Sequence, residues 1–139
     1  MQNELWSLSE LVNAIGGVVF GKPTGPFNGI SIDSRSIAMS DVFVAIKGDK
    51  MDGHDFVVAA VAEGAGIAIV SKRDPAWPED LPLLLVNDDP LAALERLGRA
   101  ARARSHARII AVTGSVGKTS TKEMLRIALS ASAETHASA

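Results

Sequence analysis

Cysteine is absent from the 139 residues, and with it go disulfides, thiolate zinc sites and cysteine nucleophiles. Its absence suits a reducing compartment. No apolar run reaches the roughly 18 residues of a membrane span. The opening Met1-Gln2-Asn3-Glu4 also lacks the basic stretch before an apolar one that marks an export leader. A dominant charge is missing too: 14 basic against 16 acidic residues give a net charge of -2. That supplies no global field for a polyanion and argues against nucleic-acid coating. Internal repeats and low-complexity tracts are lacking, although 128–139 is rich in alanine and serine. What remains is 47% hydrophobic and 22% charged, a chain with apolar surface to bury at the length of one domain or of one small domain and part of another. The expectation is a soluble, cytoplasmic protein with neither a membrane nor a nucleic acid as partner.

Ser7 and Glu10 have capping-box spacing, and Leu8, Leu11, Val12 and Ile15 fall on one helical face before Gly16-Gly17 stops it. From Val18 to Gly29, glycines and prolines leave room only for short strands or turns. Ile30 to Ile32 and Val42 to Ile46 read as strands, Asp55 to Glu63 as a helix, Ile67 to Val70 and Leu83 to Val86 as strands. Asp89-Pro90 caps and starts a helix to about Ala103. Strand and helix therefore alternate from residue 42 onward, which predicts an α/β fold with a largely parallel sheet. Arg102 to Arg108 is polar and basic, and Ile109 to Val112 reads as a new buried strand. The domain boundary is placed there, giving domains 1–107 and 108–139.

Chemistry enters at Thr113-Gly114-Ser115-Val116-Gly117-Lys118-Thr119-Ser120-Thr121, which precedes a helical pattern containing Met124, Leu125 and Ala128. This is a phosphate-binding loop in the expected context. Glycines at 114 and 117 let consecutive N–H groups point inward, and the helix start adds partial positive charge. Lys118 is a point charge for the β and γ phosphates of a nucleotide, and the Thr119 hydroxyl is the expected protein ligand of Mg. Gly114, Ser115, Val116, Gly117, Lys118, Thr119 and Ser120 thus form the candidate ATP cradle, with Lys118 the candidate catalytic residue. The loop departs from the general motif in having Val112 where the first glycine is usual.

The short form, running from Ile110 through Lys122-Glu123-Met124, resembles the ATP-binding loop of the Mur ligases, which join amino acids to cell-wall precursors. Upstream, Asp33-Ser34-Arg35, Asp41 to Gly48 and Asp52-Gly53-His54-Asp55-Phe56 match the N-terminal domain that members of this family share. One difference is Val116, where many members carry asparagine. The Lys122-Glu123-Met124 continuation looks most like the members that add D-alanyl-D-alanine to UDP-MurNAc-tripeptide; a ligase adding a single amino acid is the alternative within the family. The resemblance implies ATP and Mg as cofactors and an acyl phosphate on the way to the amide in peptidoglycan precursor synthesis. It also implies that Ser34 and Arg35 line a UDP-sugar pocket with Asp49 and Lys50 nearby.

Read from residues alone, Ser34-Arg35 also fits a solvated turn, and Asp49, Asp52 and Asp55 fit loop or cap carboxylates without calcium-loop spacing. His54 beside Asp55 has no nucleophile near it in sequence and is expected to be structural. Arg96, Arg99, Arg102, Arg104 and Arg108 read as a solvated helix side, Trp6 and Trp77 as packing residues. Outside the family, a P-loop kinase or GTPase needs the same cradle but has no use for the upstream motifs, and a non-catalytic UDP-sugar-binding module is the remaining rival. The resemblance places further Mg ligands, adenine contacts and the amine site in later sequence. The 139 residues are therefore expected to be a fragment, inactive alone as a ligase, comprising an α/β substrate domain and the first strand, loop and helix of a parallel-sheet ATPase domain.

Overall fold

The computed structural model describes residues 4–138, in two compact units, one ending at Ser105 and the other beginning at His106. In the first unit, helix α1 (Leu8–Ile15) starts as its sequence predicts. Glu10 N–H donates to Ser7 Oγ at 3.3 Å, and Ser7 N–H donates to the Glu10 carboxylate at 2.8 Å. It ends at Gly16, whose N–H donates to Val12 O. Helix α3 (Pro90–Arg104) is opened by Asp89, which accepts from Leu91 N–H at 3.0 Å, with Pro90 at the position where a missing N–H costs nothing.

Five strands, β1 (Val18–Phe20), β2 (Gly29–Ser31), β3 (Asp41–Val44), β4 (Ile67–Val70) and β5 (Leu83–Leu85), form one sheet in the order β1-β5-β4-β3-β2. The pairs from β2 to β5 are parallel, and only β1 runs antiparallel, against β5. Strand alternation sorts the core between two faces. Val42, Val44, Ile67, Ile69, Leu84 and Val86 bury against Leu11, Ile15, Ala93 and Leu97 of α1 and α3. Phe43, Ala68, Val70 and Leu83 bury with Val57 and Ala60 of the short helix α2 (Val57–Ala62). Apolar side chains on both faces are what a parallel sheet with helices above and below requires.

The basic residues of α3 do more than solvate it. Arg96 donates to Ile15 O at 3.2 and 3.0 Å, satisfying a carbonyl at the end of α1, and pairs with Asp88 at 2.6 Å. Arg104 lies over the Trp6 ring at 3.7 Å and donates to Leu5 O. Trp6 is buried in the core, and Trp77 packs partly buried on the α2 side. The helix expected over 55–63 divides into a 3-10 turn, Gly53–Phe56, and α2, because Asp52 caps the turn by accepting from His54 N–H.

In the second unit, helix α4 (Lys118–Ser130) follows the glycine-rich loop. The strand expected at 109–112 does not form. Ile109 and Ile110 are 63% and 57% exposed, and the segment pairs with no strand. A strand exists through its ladder partners, so an apolar β-branched run without a neighbour stays irregular. Ile110 and Val112 instead line a cavity of about 270 Å³ with Leu125 and Leu129 of α4. Among the described residues no helix is long and apolar enough to cross a membrane.

Candidate functional site

Because β2, β3, β4 and β5 are parallel, the segments leaving their C-terminal ends all emerge on one rim of the sheet, the rim on which open α/β sheets bind ligands. Ser34 and Arg35 leave β2, and Asp49 and Lys50 leave the neighbouring β3. The fold thus brings the four candidate substrate residues to one rim, on adjacent strands.

Ser34 is half-buried at the start of a 3-10 turn, Ser34–Ser36, capped by Asp33. Arg35 folds back on that cap: Nε and Nη2 donate to the two Asp33 oxygens at 2.9 and 2.7 Å, and its backbone N–H donates at 3.0 Å. The guanidinium and then the backbone N–H of Arg35 hold the Asp33 carboxyl down at about 2. Arg35 is 87% exposed, so the pair contributes little to stability. It fixes the guanidinium in place while leaving the donors not given to Asp33 for an anion.

Asp49 and Lys50 are exposed at the tip of a tight turn closed by Gly48 N–H to Met51 O at 2.8 Å and by an antiparallel bridge between Lys47 and Asp52. Behind it, Gly53 N–H donates to Ile46 O at 2.8 Å. A Cβ at Gly53 would sit 2.7 Å from both Ile46 N and O, so only glycine permits this approach.

Sequence reasoning missed the cluster beneath that turn. His54 is 4% exposed, with Nδ1 2.6 Å from Asp52 Oδ1 and Nε2 accepting from Ser71 N–H at 3.0 Å. Since the Ser71 N–H can only donate, Nε2 is the unprotonated nitrogen and Nδ1–H donates to Asp52. Lys72 Nζ adds 3.0 Å to the second Asp52 oxygen. The His54 N–H above all holds the Asp52 carboxyl well below the usual carboxylate range; burial opposes it next in size, and the His54 ring and the Lys72 ammonium each add a lesser lowering. The one sequence signal was the Asp52-Gly53-His54 spacing; Ser71 is 17 residues away.

The phosphate loop is open where phosphate would enter. Gly117 opens α4 in the left-handed conformation, φ 78°, with no side chain capping the first turn, whose N–H groups are thereby left for a ligand. Gly114 also has positive φ, 151°, and an added Cβ would meet nothing within 4 Å at Gly117 and only Val116 O, at 3.7 Å, at Gly114. Lys118 and Thr119 are the first two helical residues and are exposed, as are Ser115, Ser120 and Val116, the last at 91%. This arrangement fits a nucleotide's phosphate chain. Among the described residues no cluster of three or more His, Asp or Glu could hold a metal. The Thr119 hydroxyl fits Mg, which takes few protein ligands and completes its shell with water and phosphate oxygens.

The model of the Mur ligase family, catalytic domain, matches residues 26–129. A UDP-N-acetylmuramoyl-tripeptide--D-alanyl-D-alanine ligase from Rickettsia prowazekii is 41% identical over 102 residues, 73% of this chain and 22% of that protein. A crystal structure of MurF from Acinetobacter baumannii superposes with a TM-score of 0.80 at 37% identity, over 93% of this chain and 28% of that one. A MurF ligase from Thermotoga maritima, solved in complex with ADP, gives 0.60 at 33% identity over 74% and 23%. The chain thus spans about a quarter of the length of these relatives. With the family model covering both the sheet's rim and the phosphate loop, the chain belongs to the Mur ligase family.

Proposed function

We propose that these residues supply the UDP-sugar rim and the ATP phosphate loop of a ligase that joins D-alanyl-D-alanine to UDP-MurNAc-tripeptide. The observation that carries the reading is the uncapped start of α4 behind a left-handed Gly117, with Lys118 and Thr119 exposed at the first two helical positions. The likeness to D-alanyl-D-alanine-adding relatives over most of the chain supports the choice of substrates.

The chemistry explains the two sites. A carboxylate will not accept an amine at neutral pH, because oxide would have to leave. Transfer of the γ-phosphoryl of ATP to the peptide's terminal carboxylate gives an acyl phosphate, and attack by the amine then expels phosphate and forms the amide. Lys118 and the loop amides hold the phosphates and offset charge spreading over the transferring group. Mg, bound through Thr119, supplies further neutralisation of that charge. Ser34, Arg35, Asp49 and Lys50 hold the nucleotide-sugar end of the acceptor, with Arg35 supplying charge for the diphosphate. Such an enzyme works in the cytoplasm, where ATP is available.

The test is a polypeptide of the relatives' full length incubated with ATP, Mg, UDP-MurNAc-tripeptide and either D-alanyl-D-alanine or a single diamino acid, its product identified by mass. A dipeptide adduct is expected. A single-amino-acid adduct moves the assignment within the family, and nucleotide turnover without an amide product overturns it.

A further inference from the structure

We infer that His54 is a positioning residue for substrate: it ties the turn that presents Asp49 and Lys50 to the end of β4. The inference rests on the reading of that turn as part of the UDP-sugar rim. Asp49 and Lys50 are exposed and lie at the tip of a loop closed by only the two backbone bonds that flank the Lys47–Asp52 bridge, Gly48 N–H to Met51 O and Gly53 N–H to Ile46 O. Such a tip has little to hold it at one height above the sheet.

His54 supplies that restraint through both ring nitrogens. Nδ1–H donates to Asp52, the residue that closes the bridge with Lys47, while Nε2 accepts from Ser71 N–H and lies 3.3 Å from Ser71 Oγ. Ser71 directly follows β4, so the imidazole spans the loop after β3 and the end of the next strand. Lys72, also past β4, reaches the other Asp52 oxygen and doubles the tie from the solvent side, where it is 60% exposed. The ring is buried and, among the hydrogen bonds of the described residues, reaches the turn through Asp52, so its effect on a ligand passes through the residues it orients.

The test is a double-mutant cycle in a polypeptide of the relatives' full length, with UDP-MurNAc-tripeptide titrated calorimetrically and folding followed by circular dichroism. His54→Asn keeps a donor for Asp52 and loses Ser71; His54→Gln reaches Ser71 and loses Asp52. Each should weaken binding by about tenfold, the lower end of what loss of an orienting partner costs. In an Asp49→Ala/Lys50→Ala background the same change should have at most about a twofold effect, because the residues it positions are gone. Equal weakening in both backgrounds would overturn the proposal, as would unchanged binding by a folded His54 variant, or unfolding of both variants, which would make the histidine purely structural. Failure of the wild-type chain to bind UDP-MurNAc-tripeptide at all would remove the substrate reading itself, a result separable from any behaviour of His54.

Discussion

The Arg104 guanidinium lies 3.7 Å from the centroid of the Trp6 indole and donates to the carbonyl of Leu5, so the last residue of α3 is fastened to the segment that leads into α1. Trp6 is buried and Arg104 is 41% exposed, which places the contact between a surface and a desolvated cation–π pair. Arg104→Ala should therefore cost about 1 to 2 kcal/mol, and Arg104→Lys should recover only part of it, since an ammonium lacks the planar stacking face. Thermal unfolding of the three chains checks the order.

Gly53→Ala should destabilise by about 1 to 3 kcal/mol, because its Cβ would press on backbone atoms of Ile46 that have no rotamer to escape into. Urea titration gives the loss. A change within error of wild type would mean that the loop after β3 relaxes freely.

Acid should weaken the first unit by a route that Asp52→Asn removes. Asp52 has a folded pKa below its ordinary 3.8, and Asp33 is lowered from the same value to about 2. In the window below about 4 the unfolded chain binds more protons than the folded one, so stability present at neutral pH declines as pH falls through that window. The midpoint of urea unfolding, followed from pH 7 to pH 2, should fall steeply in wild type. In Asp52→Asn it should start lower at pH 7 and decline less.

Lys118→Ala, in a polypeptide of the relatives' full length, should remove nearly all ligation while leaving the melting temperature unchanged, as the side chain is exposed at the start of α4. A charge-assisted contact to the transferring group is worth about 2 to 4 kcal/mol of barrier. Ligation within threefold of wild type, roughly 0.7 kcal/mol, would be too small for that role.

Arg35→Ala should weaken UDP-MurNAc-tripeptide binding and leave ATP binding alone, because the two candidate sites lie in separate compact units. Calorimetry with each ligand decides it. An equal loss for both would point to misfolding.

What was legible in the sequence was local. The Ser7–Glu10 box and the Asp89-Pro90 start are written within four residues, and the unbroken apolar run of Val42, Phe43 and Val44 announces a strand buried on both faces. The phosphate loop is equally local, a run of nine residues before a helix. What escaped depends on partners distant in the chain. Arg96 reads as one more solvated arginine until α3 lies beside α1 and Ile15 O comes within 3.0 Å. His54 is structural, as expected, but what it holds appears only when β4 delivers Ser71. Ile109 to Val112 has the composition of a strand, but composition cannot supply the neighbour that makes one.

The shared direction of β2 to β5 also divides the sheet by tolerance to change. Loops leaving the C-terminal ends rest on completed strands, so recoding the exposed tip at Asp49 and Lys50 would, on the proposed reading, retune which nucleotide sugar is accepted without disturbing Val42, Ile67 or Leu84 below, while Asp52 and Gly53 at its base stay fixed. The opposite rim has no such freedom: there Gly66 N–H donates to Asp41 O and Ser40 N–H to Gly64 O, main-chain links that an insertion would break. Variation selected for altered substrate preference should accumulate on one side of this sheet, and variation that ruins folding on the other.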